Sequence, residues 1–151
     1  MTQVASLYIE VCVFKFEKGK PEYLILQRSD TEIIYPGIFQ FITGTIEEGE
    51  TAIAAAKREM IEEINISHKN FWVIPFINPF YVYTRDVVNL SPMFLAEVEN
   101  DKIPLLSPEH QTYEWCDYET ALKRLNWHGQ REALKIVNNF LTEKESRFTT
   151  C

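Results

Sequence analysis

Between residues 5 and 16 apolar side chains recur at every second position, Leu7, Ile9, Val11 and Val13, before the pattern slips one step to Phe14 and Phe16. A period of two marks a strand with one buried face. Lys18-Gly19-Lys20-Pro21 supplies a turn, and the apolar run 23–26, ending in Gln27 and Arg28, is expected to return beside the first strand as a hairpin. Pro36-Gly37 punctuates the chain, and residues 38–43 read as another strand running into Gly44.

The period then changes. Thr51 is placed to cap a helix extending to about Ile64, because its hydroxyl can accept from a free amide of the first turn. At 100° per residue Ile53, Met60 and Ile64 fall on one stripe expected to face the core. Glu59, Glu62 and Glu63 share a neighbouring arc, expected to be one that packing does not use. Residues 71–83, 92–98 and 111–116 have strand character, the first two separated by the polar Thr84-Arg85-Asp86. Residues 117–125 and 130–141 read as helices around a turn at 126–129, and the polar tail after Glu143 is expected to be frayed. Strands interleaved with helices predict an α/β (α+β) domain, a mixed central sheet flanked by helices, with all 151 residues in one domain.

Composition narrows the function. With 46% hydrophobic and 25% charged residues the chain can bury an ordinary core. A net charge of -7 argues against a nucleic-acid polymer or an anionic membrane surface as partner. An anionic substrate then requires a cation to mediate. Cys12, Cys116 and Cys151 are odd in number and form no CxxC pair, which reads as reduced thiols and a cytoplasmic address. The N-terminal segment carries Glu10 and Lys15 and lacks the apolar stretch of a signal peptide, and residues 71–83 are too short to span a bilayer.

The acidic arc is where chemistry is expected. Like charges on adjacent helical turns destabilise a helix, so Glu59, Glu62 and Glu63 call for a positive partner. Hard divalent cations are bound by a few carboxylates, waters and phosphate oxygens. Mg2+, with Mn2+ as a substitute, fits such a half-site. Gly44 and Gly49 are expected to allow unusual backbone conformations and a close approach to a ligand.

Gly44, Glu50, Arg58, Glu59, Met60, Glu62, Glu63 and Ile66 stand at the spacing of a known signature, and in this pattern the chain resembles the Nudix hydrolases. Only Asn65 departs, where the family carries glycine; asparagine is the next best residue for a left-handed helix end. The resemblance implies an α/β/α sandwich and hydrolysis of a nucleoside diphosphate linked to another moiety, by water attack on phosphorus. It implies metal ligands at Glu59 and Glu63, with Glu62 supplementing the cluster or handling the water, and Arg58 orienting a carboxylate. Leu26-Gln27-Arg28, the stretch 39–44, Glu109-His110, Tyr113-Glu114-Trp115 and Asn126-Trp127 are further similar to one subgroup, the bacterial pyrophosphatases of dihydroneopterin triphosphate and dATP. That likeness implies a third ligand at Glu109, and substrate contacts at Arg28, Thr43, Gly44 and Asn126. The implied partner is a small nucleotide or pterin triphosphate. The oligomeric state and the general base stay open, and two other readings stand: a dinucleoside polyphosphate or nucleotide-sugar hydrolase, and a non-catalytic nucleotide sensor. Of the aromatics Trp72, Phe76, Phe80, Tyr81 and Tyr83, most are expected in the core. His68, His110 and His128 are too dispersed for a zinc site, so a structural or surface role is expected of His110.

Overall fold

In the computed structural model, which describes residues 1–143 and 148–151, the first long strand is apolar on both faces rather than one. Strand β1 covers Gln3–Ala5, β2 Tyr8–Glu17 and β3 Lys20–Arg28. Along β2, Ile9, Val11 and Val13 enter one core, while Cys12 and Phe14 enter another on the opposite face. The apparent slip in the pattern is therefore a strand buried on both sides, as inner strands of a covered sheet are. β3 behaves alike, sending Leu24 and Leu26 one way and Tyr23 and Ile25 the other. The hairpin between them turns on Lys18 and Gly19, both at positive φ (52° and 78°), the geometry that matches strand twist in two-residue turns.

Short strands β4 (Phe39–Gln40) and β5 (Ile42–Thr45) lead into helix α1 (Ala52–Ile64). Then follow β6 (Asn70–Val82), β7 (Val87–Glu97), β8 (His110–Cys116), helices α2 (Tyr118–Arg124) and α3 (His128–Thr142), and β9 (Thr149–Thr150). β6 and β7 are antiparallel partners, and the path through the sheet runs β4-β3-β2-β7-β6-β9. β2 pairs in parallel with β7, and β1 also joins β7 in parallel, so the sheet is mixed. β2 forks: Tyr8–Val11 pair with β5, Val13–Glu17 with β3. α1 covers one face, and α2 and α3 the other. The arrangement is the α/β/α sandwich expected. No helix among the described residues is long and apolar enough to cross a membrane.

Thr51 caps α1 as expected, its Oγ1 accepting from the Ala54 amide at 3.1 Å. Asn65 ends the helix in the left-handed conformation (φ 54°, ψ 38°), its amide donating to the Ile61 carbonyl. Three expectations fail. Ile53 is exposed, and the packing face of α1 is made by Ala55, Ala56, Met60 and Ile64 together with Glu59 and Glu63. The tail is also docked where it is described: Phe148 stacks on Phe140 with centroids 4.1 Å apart, and β9 pairs with β6, because an aromatic residue within the polar tail can reach the α3-side core. The remainder of the tail expectation, on residues 144–147, lies outside the described residues. Of the aromatics assigned to the core, Trp72 and Phe76 pack there, whereas Phe80, Tyr81 and Tyr83 are exposed on the far part of the β6–β7 hairpin.

The αL geometry at Asn65 yields a test. A left-handed residue with a plain Cβ costs about 1 kcal/mol, so Asn65→Ala should lower unfolding free energy by about that amount in urea titrations, while Asn65→Gly should not.

Candidate active site

The sequence from β5 through α1 folds back on itself around one guanidinium. Arg58 Nε donates to Glu50 Oε2 and Nη2 to Glu50 Oε1, both at 2.8 Å, a bidentate pairing. Nη1 donates to Glu59 Oε1 at 3.0 Å and to Glu62 Oε2 at 3.1 Å, and Nη2 also reaches the Thr45 carbonyl at 2.8 Å. The fork of five donors suits Arg to this many acceptors. The Arg58 guanidinium holds the Glu50 carboxyl down to about 2, helped by the Glu47 amide, and the three carboxylates in turn raise Arg58 further above its ordinary value. Arg58 thus meets three carboxylates, with Glu50 as its firmest partner.

Glu59 is buried, and loss of hydration pushes its carboxyl up, against the Arg58 hydrogen bond and with the charges of Glu62 and Glu63 adding. Its carboxylate lies directly over Gly44: a Cβ there would stand 2.1 Å from Glu59 Cδ. Gly44 is needed for this approach, whereas Gly49 is the position with the left-handed backbone (φ 77°). Glu62 is exposed and held only at the rim by Arg58.

Glu63 is 4% exposed. Burial raises its carboxyl, but hydrogen bonds outweigh this and the net direction is downward: His110 Nδ1 lies 3.0 Å and Ser107 Oγ 2.7 Å from the same oxygen, Oε2. Glu109 sits at the surface beside them, its carboxyl raised by partial loss of hydration and by the Glu63 charge. One ligand atom each from Glu63, Glu109 and His110 lies within 4.8 Å of the others. Two carboxylates brought this close repel, and the oxygen donors suit a hard divalent cation. The donor set fits such an ion, with Glu59 one turn away on the same helix.

Of the proposed substrate contacts, Arg28 lies near Glu109, whose charge it eases, and is tied by Nε to the Ile34 carbonyl (3.0 Å) and by Nη2 to Glu32 (3.4 Å). Thr43 is half-buried in β5 beside Glu10. Asn126 is exposed, its amide donating to the Phe39 carbonyl and its own carbonyl accepting from Arg131. Of the structural or surface role expected of His110, the surface alternative fails: its side chain is wholly buried, and Gln40 and Glu63 meet its two ring nitrogens. The available signal was its place immediately after Glu109. Ser107 and Gln40 were missed because neither side chain carries charge.

This acidic, arginine-clamped helix on an α/β/α sandwich defines a class. The chain belongs to the Nudix family, whose domain model it matches over residues 7–136, and it is a hydrolase of phosphoric anhydrides. It is 32% identical over 139 residues to a dihydroneopterin triphosphate diphosphatase of Haemophilus influenzae, covering 83% of this chain and 84% of that protein. A bis(5'-nucleosyl)-tetraphosphatase of Caenorhabditis elegans is 28% identical over 85% of this chain and 91% of that one. An octanoyltransferase of Myxococcus xanthus is 33% identical over 134 residues, but the match spans only 35% of that protein. Among solved structures, the E. coli dihydroneopterin triphosphate pyrophosphohydrolase superposes with a TM-score of 0.72 at 26% identity, covering 89% of this chain and 95% of that one.

The Arg58–Glu50 pair predicts an acid limb. Because the folded-state value, about 2, lies below the ordinary 4.5, its stabilisation is complete above pH 4.5 and is lost as pH falls toward 2. Urea unfolding across that range should show a shallower fall in stability for Glu50→Gln than for the parent chain.

Proposed function

We propose that the chain is a Mg2+-dependent pyrophosphohydrolase that cleaves a nucleoside or pterin triphosphate to the monophosphate and pyrophosphate. The observation that carries this reading is the meeting of Glu63 from α1 with Glu109 from the segment before β8, one turn from a buried Glu59. Glu59, Glu63 and Glu109 would hold the cation, Mg2+ or Mn2+ in its place. When bound, such an ion neutralises phosphate oxygens and lowers the pKa of a water that attacks phosphorus. In the overall hydrolysis the water oxygen bonds to the α-phosphorus, the bond from that phosphorus to the bridging oxygen breaks, pyrophosphate leaves with its electron pair, and the water proton passes to solvent.

The chain's own residues prepare this step by fixing geometry beforehand. Arg58 holds Glu59 over Gly44 and keeps Glu62 at the rim, so neither carboxylate needs to reorganise. Arg28, whose charge reaches Glu109, would meet a phosphate, and Thr43, Gly44 and Asn126 would touch the substrate with it. The net charge of -7 supports a small anionic substrate delivered with its cation rather than a nucleic-acid polymer. Three widely spaced thiols support a cytoplasmic setting. The substrate class draws its support from the relative named dihydroneopterin triphosphate diphosphatase.

A second reading, a dinucleoside polyphosphate hydrolase, is favoured by the tetraphosphatase relative. Phosphorus NMR of the products separates the two: release of pyrophosphate from dATP or dihydroneopterin triphosphate supports the first, paired nucleotide products from a dinucleotide the second. Glu63→Gln removes charge with little change of shape and should lower turnover in Mg2+ by about 100-fold or more; full activity in that variant removes Glu63 from the site. Gly44→Ala, whose Cβ displaces the Glu59 carboxylate, should weaken Mn2+ binding by about tenfold while the melting temperature changes little.

A further inference from the structure

A line of directed hydrogen bonds runs from the start of α3 to the acidic cluster, through residues to which the reaction above gives no part. Trp127 Nε1 donates to Gln40 Oε1 at 3.1 Å, Gln40 Nε2 lies 3.2 Å from His110 Nε2, and His110 Nδ1 lies 3.0 Å from Glu63 Oε2. The direction of each bond follows from the one before it. An indole nitrogen can only donate, so the amide oxygen of Gln40 faces Trp127 and its NH2 faces His110. An NH2 group can only donate, so Nε2 of the imidazole presents its lone pair and the ring proton resides on Nδ1, aimed at Glu63. Ser107 Oγ donates to the same oxygen at 2.7 Å, so both bonds fall on Oε2 and Oε1 receives neither.

We propose that Trp127, Gln40 and His110 are positioning residues for Glu63: the indole fixes the amide, the amide fixes the imidazole tautomer, and the tautomer engages Oε2 so that Oε1 is presented to the cation. The proposal rests on the reading of Glu63 as a cation ligand. The line is built from four places distant in sequence, the turn before α3, β4, the start of β8 and the last turn of α1. Gln40, His110 and Glu63 are all buried, so water does not compete for these bonds. Its outer end is braced as well. The Tyr35 ring meets Trp127 edge-on at 4.7 Å, and Tyr35 is held at φ 50°, a left-handed backbone unfavourable for a side chain of that size.

The test has two arms on the full chain. Nitrogen-15 NMR of histidine-labelled, metal-free protein should show the His110 ring proton on Nδ1 and none on Nε2, and protons shared between the two nitrogens in Gln40→Met and in Trp127→Phe. A proton resident on Nε2 in the parent chain overturns the proposal. In the second arm, Mn2+ dissociation constants are measured by electron paramagnetic resonance for the parent, Gln40→Met, Trp127→Phe and Glu63→Gln, each checked for folding by thermal melting. Gln40→Met should weaken Mn2+ about tenfold, the effect typical of losing a partner that orients a ligand, and Glu63→Gln at least as much. If Glu63→Gln weakens binding but Gln40→Met and Trp127→Phe do not, the positioning role is overturned while the ligand assignment stands. If Glu63→Gln changes nothing, the ligand assignment falls and the positioning role with it. Should Gln40→Met fail to fold, Trp127→Phe, which removes only the indole N–H and part of the ring, decides the outcome.

Discussion

The requirement that shapes this molecule is to keep several carboxylates together in a half-dry place without letting them repel one another apart. Arg58 meets it on one side. Its guanidinium grips Glu50 with two parallel bonds, Glu59 and Glu62 with the remaining amine, and the Thr45 carbonyl besides, so the loop after β5 and the body of α1 are closed on one charge. Charge-assisted bonds of this bidentate kind are the stronger ones among side-chain hydrogen bonds. Glu59 then lies against bare backbone at Gly44, a fit that exists only because no Cβ is there. On the other side, Ser107 and His110 donate to Glu63, while the charges of His110 and Arg28 ease Glu109 beside it.

The sheet supplies the platform on which these parts meet. β2 is buried on both faces and forks between β5 and β3, so β5 carries Gly44 to the foot of α1 while β3 carries Arg28 toward β8. α1 packs on one face through small residues, Ala55 and Ala56, which let the helix come close enough for Glu59 and Glu63 to be buried at the contact. α3 packs on the other face, and its first residues return to the edge of the sheet, where Trp127 meets Gln40. The site is therefore assembled where both layers reach the same end of the sheet. Its residues come from strands, a helix and a connecting segment, each anchored by neighbouring apolar residues in the two cores.

Much of this was legible in the sequence because local chemistry dictates it. Thr51 as a cap, Asn65 as a left-handed terminus, and Glu59, Glu63 and Arg58 at helical spacing all express constraints confined to one segment. The class of fold followed from alternating periods. What misled was the assumption that acidic residues avoid packing: Ile53, chosen for the core, is exposed, and Glu59 and Glu63 take buried positions instead. A hydrophobic stripe cannot reveal that a carboxylate will be buried when a guanidinium or an imidazole elsewhere awaits it. His110, Gln40 and Ser107 were opaque for the same reason, since their roles are set by partners 44 to 87 residues away. Likewise, Phe148 seemed part of a polar tail until the α3-side core offered it a place.

The segment from Gly44 to Ile66 makes most of its decisive contacts with itself. Glu47 donates its amide to Glu50, Thr51 caps Ala54, Arg58 returns to Thr45, and Glu59 settles over Gly44. That geometry is internally referenced, so the carboxylates held by Arg58 owe their positions to this one segment. Glu63 is different: its partners Ser107 and His110 lie in another part of the chain, and through Gln40 they lead to Trp127. The arginine-clamped end is thus a self-contained cassette, whereas the Glu63 end takes its shape from the rest of the fold and registers any shift of α3 or β8 against α1.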